Sequence, residues 1–259
     1  MYVCWRLLCP ARLAAVREQF FASHHLSFLE RQLIAFTLFT TPMDTRTASS
    51  CWAGGAGGRF HADDNHRLTL AAVAADTFYR RPMLDEFAAR AATGLRPGAS
   101  IVEVGCGAGG NLLYLRECLA GHDFRFLGFD VNEEVISSNR QQQRDDMAFA
   151  VRDCFTTEIA VPGDLGLIFC AVLMYAQEQD IERLLLGVIG NCPGRILLGL
   201  SEPVLDPDAA RALPHNNLAL AHGYRRILRR LGFRELCASL RREGDKPSRI
   251  YHAVFELLR

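Results

Sequence analysis

Lysine is almost absent from this chain of 259 residues: Lys246, close to the carboxyl end, is the single example. This scarcity nearly excludes the short-chain oxidoreductases, which need a Tyr-x-x-x-Lys pair for hydride transfer. Net charge is absent as well, because 29 basic and 29 acidic residues cancel at pH 7. A chain-wide attraction to nucleic acid or to an anionic membrane is therefore not expected, although a local basic patch is still compatible with this balance.

Paired cysteines and long apolar runs are also missing. The nine cysteines include no C-x-x-C pair and no Cys/His cluster with zinc-finger spacing, so we expect reduced thiols and no metal site. The apolar run "LIAFTLFTTPM" is too short to span a bilayer, and the first residues make a poor signal peptide. These observations predict a cytoplasmic protein without nucleic-acid or membrane partners.

Composition divides the chain into three parts. Residues 1–65 form an extension ending in the linker-like segment "TRTASSCWAGGAGGRFHADD", and we expect them to be poorly ordered or loosely packed. Met43 stands just before that segment and is a candidate for the natural start. Residues 66–98 carry apolar positions at helical spacing, with Pro82 opening a second helix, and predict a helical cap or lid. Residues 99–259 form the main domain.

The main domain alternates β-type apolar runs with helical segments. Five such units in series predict a doubly wound, mostly parallel α/β sheet. Helices are expected over 109–120, 132–143, 178–190 and 217–231. The last two runs, "RELCASLRR" and "RIYHAVFEL", are joined by a connection that suits a hairpin and is too short for a parallel crossover. The last strand is therefore predicted to be antiparallel, unlike the wholly parallel sheet typical of dinucleotide-binding domains.

The segment "SIVEVGCGAGGNLLYL" runs from a predicted strand through glycines into a helix. Gly105, Gly107 and Gly110 fit the G-x-G-x-x-G turn of nicotinamide- and flavin-binding proteins. Gly109 in place of Gly110, with Glu103 ahead of the turn, gives instead the E-x-G-x-G-x-G pattern of S-adenosylmethionine (SAM) enzymes. In both cases the glycines permit a sharp turn and a close approach to the ligand. The glycine pattern alone therefore leaves both cofactors open.

Carboxylates at the predicted strand ends favour SAM. Glu103 stands near the end of the first strand, where it would attract the sulfonium and ammonium groups of SAM rather than the two phosphates of a dinucleotide. Asp130 ends the second strand and can accept hydrogen bonds from the ribose hydroxyls of either cofactor. Asp153 ends the third strand, where it can accept from the adenine amino group or cap the following turn.

With these motifs in order, residues 99–259 resemble a class I SAM-dependent methyltransferase. The resemblance rests on "VEVGCGAGG", the acids in "LGFDVN" and "AVRDCF", the strand "LGLIFCAVL" and the "LGF" before the terminal hairpin. It implies a seven-stranded Rossmann-like sheet with an antiparallel last strand and an amino-terminal helical lid. It also implies SAM as the cofactor, with Phe169 or Cys170 beside the sulfonium. The implied SAM contacts are Glu103, Gly105, Cys106, Gly107, Gly109, Asp130, Val131, Asp153 and Cys154.

The methyl acceptor is expected at the carboxyl ends of the fourth and fifth strands. His215 and His222, in a long proline-containing connection, are the candidates for a general base, because histidine titrates near neutral pH. Either histidine could equally be structural or solvated. The basic stretch "YRRILRRLGFR" predicts a solvated helix face, with an anion site as the alternative. The full set of acceptor-side candidates is Tyr175, Glu178, Glu202, His215, His222 and Tyr224.

The strand-four segment "FCAVLMYAQE" lacks the N/D-P-P-Y motif, which argues against methylation of DNA adenine or of glutamine. The sequence therefore predicts an enzyme that methylates an oxygen or nitrogen atom of a small molecule. An NAD(P)-dependent oxidoreductase and a non-catalytic SAM-binding module of the same fold remain as alternatives. A homodimer is left open as the assembly.

Overall fold

The structure is a computed structural model that describes residues 45–54, 69–75, 78–214, 219–242 and 249–258. The helices in these ranges are α1 (Thr45–Ala53), α2 (Leu70–Ala74), α3 (Arg81–Gly94), α4 (Gly110–Cys118), α5 (Glu133–Asn139), α6 (Glu178–Asn191) and α7 (Tyr224–Arg230). Short 3-10 turns lie at Arg140–Gln142 and Leu173–Tyr175. The strands are β1 (Ser100–Val104), β2 (Arg125–Asp130), β3 (Met147–Val151), β4 (Leu165–Cys170), β5 (Ile196–Val204), β6 (Leu213–Pro214), β7 (Leu220–Ala221), β8 (Arg234–Arg242) and β9 (Arg249–Leu257).

Seven strands form one sheet in the order β3-β2-β1-β4-β5-β9-β8. Strands β1 to β5 are parallel, and β9 inserts antiparallel between β5 and β8. The predicted doubly wound sheet with an antiparallel last strand is therefore confirmed. The strand order reverses between β1 and β4, and ligands of such sheets bind in the crevice at the carboxyl ends of those strands.

Helix α3 packs flat on one face of the sheet because two strand glycines make room for it. A Cβ atom at Gly166 of β4 or at Gly199 of β5 would lie 2.8 or 2.9 Å from the ring of Phe87. Pro82 stands in the first turn of α3, as predicted, where its missing N–H breaks no helical hydrogen bond. The larger part of the lid expected over 66–98 is thus a core helix, held by apolar packing.

Part of the linker-like segment is helical. Residues Thr45–Ala53 form α1, where the glycine, alanine and serine content predicted a flexible connection. Contacts between α1 and the turn at Leu173–Tyr175 hold this helix in place, which composition alone does not reveal. The linker prediction is therefore wrong for these residues, whereas residues 55–68 and the extension before residue 45 lie outside the described residues.

The helix predicted over 217–231 begins later than expected. Helix α7 spans Tyr224–Arg230, because the preceding residues Leu220–Ala221 pair as β7 with β6 instead. The candidate base His215 lies outside the described residues. Within the described ranges, no helix is long and apolar enough to cross a membrane.

Candidate functional site

A cavity opens at the carboxyl ends of β1 to β4, the edge at which the topology places a ligand. Side chains from the strand ends, from the glycine-rich turn, from α1 and from the residue before α3 line it. The predicted cofactor residues found on its wall are Glu103, Gly105, Cys106, Asp130, Val131, Asp153, Cys154 and Cys170. Residues from three separate motifs are therefore brought together as the sequence predicted.

The turn after β1 has the left-handed backbone that its glycines permit. Gly105, Gly107 and Gly109 have φ angles of 67°, 50° and 76°, a region that residues with a Cβ atom rarely adopt. A Cβ atom at Gly105 would also collide with the side chain of Val172. The turn therefore presents bare backbone to the cavity and leads directly into α4.

Asp130, at the end of β2, is buried, and the backbone orients both of its carboxylate oxygens. Its Oδ2 accepts from the Gly107 N–H and its Oδ1 from the Asn132 N–H, each at 3.0 Å. The Asn139 side chain of α5 also binds the glycine-rich turn, because its Nδ2 donates a hydrogen bond to the Gly107 carbonyl oxygen at 2.5 Å. The carboxylate is thus fixed between the glycine-rich turn and α5, on the cavity wall.

Asp153, after β3, both caps a turn and lines the cavity. Its Oδ1 accepts from the Phe155 N–H at 3.0 Å, and its carbonyl oxygen accepts from the Thr157 hydroxyl at 2.7 Å. The turn-capping role considered for Asp153 is therefore present, and its place on the wall is compatible with the adenine role. Burial of the neighbouring Cys154 raises the pKa of its thiol to about 12, so the thiol is neutral.

Glu103, near the end of β1, is 1% exposed, and only one of its two carboxylate oxygens has a hydrogen-bond partner among the described residues. Its Oε1 accepts from Asn111 Nδ2 at 2.6 Å, whereas its Oε2 has no hydrogen-bond partner among the described residues. Burial raises the pKa of the Glu103 carboxyl to about 8, because loss of water disfavours the charged form. The Asn111 hydrogen bond and the charge of Arg80 act in the opposite direction and offset only part of this shift. A buried oxygen left unpaired on a cavity wall is suited to a cationic ligand.

Arg80 is a cavity residue that the sequence analysis missed. It stands just before α3, and its guanidinium lies 5.0 Å from the centre of the Tyr79 ring. The side chain is buried, and its Nε has no hydrogen-bond partner in the described part of the chain. No local motif marks this arginine, because the fold brings it to the site from a helix start remote from the glycine-rich turn.

The end of β4 decides which of two expected residues can contact the sulfonium. Cys170 lines the cavity, whereas Phe169 is fully buried in the core on the opposite face of the sheet. Successive side chains of a strand point to opposite faces, so only one of the two can reach the ligand. Phe169 as a contact is therefore wrong. Ala171 follows with a φ of 59°, which is uncommon for a residue with a side chain, and turns the chain along the cavity.

Glu202, at the end of β5, anchors a turn and does not line the cavity. It is fully buried, and its carboxylate accepts from the N–H groups of Val172 at 2.7 Å, Leu173 at 2.9 Å and Met174 at 3.3 Å. Burial raises its pKa to about 7, although these backbone hydrogen bonds act to lower it. Its expected role toward the acceptor is therefore replaced by a structural one, because it holds the turn that places Tyr175 on the wall.

His222 does not line the cavity either. It is fully buried behind the same turn, and its Nε2 lies 3.0 Å from the Ala176 carbonyl oxygen. Burial lowers the pKa of the imidazole to about 4, so the ring is neutral at pH 7. Its position contradicts the hypothesis that it is a general base. Tyr224 is packed 5.4 Å from the His222 ring, and Glu178 is paired with an arginine of α7.

Helix α1 lies against the turn after β4 and contributes to the cavity wall. The rings of Trp52 and Tyr175 meet at 4.9 Å, and the Asn132 side chain donates to the Trp52 carbonyl oxygen at 3.2 Å. At the start of α1, the Thr45 hydroxyl accepts from the Gln177 N–H at 3.0 Å. These contacts connect α1 to the ends of β2 and β4, so the helix can restrict the access of water to the cavity.

The arginines of α7 are paired with carboxylates. Arg226 and Arg230 contact Glu178, and Arg225 contacts Glu235 at 2.8 Å. The basic stretch is therefore a charge-paired face, and these pairs leave little support for the anion-site alternative. Among the described residues, no group of three or more His, Cys, Asp or Glu side chains could hold a metal ion.

Comparison with known proteins agrees with this fold. Residues 101–189 match the family model of a methyltransferase domain. No curated protein matches the chain. One similar solved structure is the magnesium protoporphyrin IX methyltransferase of Synechocystis PCC 6803 with bound S-adenosylhomocysteine (SAH). The two sequences are 16% identical, and the alignment covers 82% of this chain and 99% of that chain with a TM-score of 0.50.

Two further structures share the fold at similarly low identity. A SAM-dependent methyltransferase of Leishmania major has 12% identity, covers 81% of this chain and 82% of its own, and has a TM-score of 0.52. The geranyl diphosphate C-methyltransferase of Streptomyces coelicolor A3(2) has 13% identity, coverage of 72% and 79%, and a TM-score of 0.50.

The sheet order, the ordered motifs around the cavity and the match of residues 101–189 to a methyltransferase domain agree with the resemblance to class I SAM-dependent methyltransferases. The family match spans the region from β1 to α6, which supplies most of the cavity wall. These findings support a SAM-dependent methyltransferase, with SAM as the methyl donor.

Proposed function

We propose that the enzyme transfers the methyl group of SAM to an oxygen or nitrogen atom of a small molecule. The observation that carries this proposal is the shape of the site. The cavity continues from the carboxylates of β2 and β3 to the end of β4, where Tyr175 and Trp52 of α1 form its wall. A small acceptor fits such a bounded site better than a folded macromolecule does.

The cofactor assignment follows the three carboxylates of the wall. We assign Asp130 to the ribose hydroxyls, since its carboxylate is fixed by two backbone N–H groups at the end of β2. Asp153 and Cys154 are assigned to the adenine, next to the ribose end. The unpaired Oε2 of Glu103 is assigned to the ammonium group of the methionine moiety, which would complete its hydrogen bonding.

The chemistry is an in-line displacement in which the acceptor attacks the methyl carbon and the electron pair of the broken bond goes to sulfur. The protein supplies alignment, which contributes up to roughly 7–11 kcal/mol in the best intramolecular models. The turn after β4, held by Glu202, orients the wall beside the reacting centre. Helix α1 with Trp52 excludes water from it. The described residues that line the cavity include no histidine. We therefore attribute most of the catalysis to alignment of the acceptor and to the exclusion of water.

The dinucleotide alternative fits the site less well. Glu103 stands on the wall near the glycine-rich turn, where a diphosphate would have to bind, and burial makes an additional negative charge there unfavourable. A zwitterionic amino acid moiety suits the same wall, because Arg80 is cationic and Glu103 can ionise beside a bound ammonium group. A non-catalytic SAM-binding module remains the second candidate, and activity separates it from the first.

The proposal is tested by incubating the enzyme with methyl-deuterated SAM and a fractionated cell extract. Label in a small-molecule product, strongly reduced by the Asp130→Ala variant when SAM is kept below saturation, supports it. Nuclear magnetic resonance of that product then shows whether the methyl group is on oxygen, nitrogen or carbon. Label confined to protein or nucleic acid, or attached to carbon, contradicts the proposal, and SAM binding without any labelled product supports the binding module.

A further inference from the structure

A row of polar side chains crosses three strands beside the cavity. In the sheet register, Cys170 of β4 pairs with Ser201 of β5, and Ser201 pairs with His252 of β9. The side chains of paired residues lie on the same face of a sheet. Cys170 belongs to the core on the α3 side, and the neighbours Leu200 and Tyr251 belong to the core on the other side. Ser201 and His252 therefore extend the α3-side wall away from the cavity residue Cys170.

This row is buried and its polar atoms are unsatisfied. Ser201 is 2% exposed and His252 is 4% exposed. The Ser201 hydroxyl and both ring nitrogens of His252 have no hydrogen-bond partner within the described ranges. Buried polar groups in folded proteins almost always have partners, so a cluster of orphaned atoms calls for a ligand or an ordered water. None of the roles assigned above involves Ser201 or His252.

Arg80 gives the cluster its charge. The buried Nε of Arg80 has no hydrogen-bond partner in the described chain. Arg80 lines the cavity together with Cys170. Tyr79, beside it, lies 6.1 Å from the His252 ring. Burial and the positive charges of Arg80 and Arg241 lower the pKa of His252 to about 4. The ring is therefore neutral at pH 7, and the charges that act on it are those of Arg80 and Arg241.

We propose that Arg80, Ser201 and His252 form a carboxylate-binding site beside the methyl donor. All three side chains can donate, since a neutral imidazole always retains one N–H. A carboxylate accepts several hydrogen bonds at once, and donors that include a guanidinium hold it strongly. An ammonium group would meet the repulsion of Arg80 and Arg241 at the same place. The site therefore selects an anionic oxygen group.

The carboxylate has two sources, and the inference rests on the proposed function for both of them. It is either the carboxylate of the methionine moiety of SAM or a carboxylate carried by the methyl acceptor. In the first case, Glu103 and Arg80 would hold the two charges of one amino acid moiety. In the second case, the site would anchor the acceptor and restrict it to acids.

Calorimetry with matched ligands separates these sources. For the cofactor, SAH is compared with its decarboxylated analogue, S-adenosyl-3-thiopropylamine. For the acceptor, benzoate is compared with the neutral benzamide on enzyme saturated with SAH. Each pair is titrated into wild type and into the Arg80→Gln, Ser201→Ala and His252→Asn variants. Ser239→Ala, which changes the exposed residue opposite His252 on β8, and Arg90→Gln, on the exposed face of α3, are the matched controls.

The carboxylate-bearing ligand of one pair should bind wild type at least about 10-fold more tightly than its partner, because hydrogen bonds to charged groups are strong. Arg80→Gln and Ser201→Ala should abolish most of that ratio, whereas the two controls should keep it. Tighter binding of SAH than of its decarboxylated analogue identifies the cofactor as the source of the carboxylate. Tighter binding of benzoate than of benzamide identifies the acceptor as the source. Equal binding within both pairs, or ratios that the three variants do not change, would overturn the carboxylate site.

Two further measurements keep the result interpretable. 5′-Methylthioadenosine, which has no carboxylate, should bind the variants as it binds wild type, and its loss would indicate failure of the cofactor site itself. Thermal unfolding of Ser201→Ala should be unchanged or improved, because the substitution removes a buried unpaired hydroxyl. A large fall in its melting temperature would show that Ser201 has a structural partner and would contradict the proposed site.

Discussion

The carboxyl ends of β1 and β5 each present a buried glutamate, and the two differ in what completes them. Glu202 on β5 has its carboxylate satisfied by three backbone N–H groups of the turn after β4. Glu103 on β1 has one oxygen bound to Asn111 and the other unpaired on the cavity wall. Burial raises the pKa of both, to about 7 and about 8. Residue type and burial are thus the same, and the hydrogen-bond partners separate a carboxylate that the protein satisfies from one with an unpaired oxygen on the cavity wall.

We therefore expect substitutions of the two glutamates to have different effects on stability and on cofactor binding. Glu202→Ala should have the largest effect on stability, because it leaves three buried backbone N–H groups without an acceptor. Each such group costs about 1–3 kcal/mol, so the free energy of unfolding should fall by about 3 kcal/mol or more. Urea unfolding measures this loss, with Glu117→Ala on the exposed part of α4 as control. Unchanged stability would show that the turn after β4 does not depend on Glu202.

Asp130→Ala should have the largest effect on cofactor binding among these variants. It removes an acceptor for the ribose hydroxyls and releases the glycine-rich turn held through Gly107. The affinity for SAM should fall by about 2–4 kcal/mol, with little change in turnover at saturation, because the ribose is bound equally in the ground and transition states. Steady-state kinetics and SAH calorimetry check both parts. Wild-type affinity in this variant would mean that the cofactor lies elsewhere on the sheet.

Glu103→Gln should lower SAM affinity by about 1.5–3 kcal/mol, the contribution of a charged hydrogen bond, without lowering stability. Between pH 4.5 and 8 the native carboxyl keeps its proton while the unfolded one loses it, so wild-type stability falls as pH rises through this window. Glu103→Gln should remove the Glu103 part of that fall, whereas the part caused by the raised pKa of Glu202 remains. Urea unfolding at pH 5 and pH 8 tests it, and a variant less stable than wild type at pH 8 would place Glu103 with Glu202 as a structural group.

The smallest effect is expected for the amino-terminal extension. A protein starting at Met43 keeps α1 and should bind SAM within about twofold of the full chain. Trp52→Ala, which removes the aromatic contact with Tyr175, should weaken binding by about 0.5–1.5 kcal/mol. Both are measured by SAH calorimetry. Loss of binding on truncation, with Trp52→Ala neutral, would show that residues before α1 contribute to the site.

What the sequence could predict follows from how local each signal is. The strands, the antiparallel end of the sheet, Glu103 and Asp130 were predictable because each depends on apolar periodicity or on a motif a few residues long. Which of Phe169 and Cys170 lines the cavity depends on the face of the sheet to which each side chain of β4 points, and the motif does not specify this. Arg80 and Trp52 reach the cavity only through the tertiary packing of α3 and α1, so no local pattern marks them.

The missed roles have the same origin. His222 and Glu202 stand at the strand-end connections where acceptor residues were expected, and the sequence gives no sign that both support the turn after β4 from behind. Ser201 and His252 are far apart in the chain, and only the pairing of β5 with β9 brings them together. Their lack of partners is a property of the packed structure and has no counterpart in composition or spacing.

The most direct test of the central claim is calorimetric titration of SAM, SAH and NADH into the same wild-type preparation. The account predicts saturable binding of SAM and SAH in the micromolar range, abolished or strongly weakened by Asp130→Ala, and no binding of NADH. It also predicts that SAM releases a proton at pH 7, because Glu103 ionises beside the bound cation. Saturable NADH binding without heat from SAM would contradict the account.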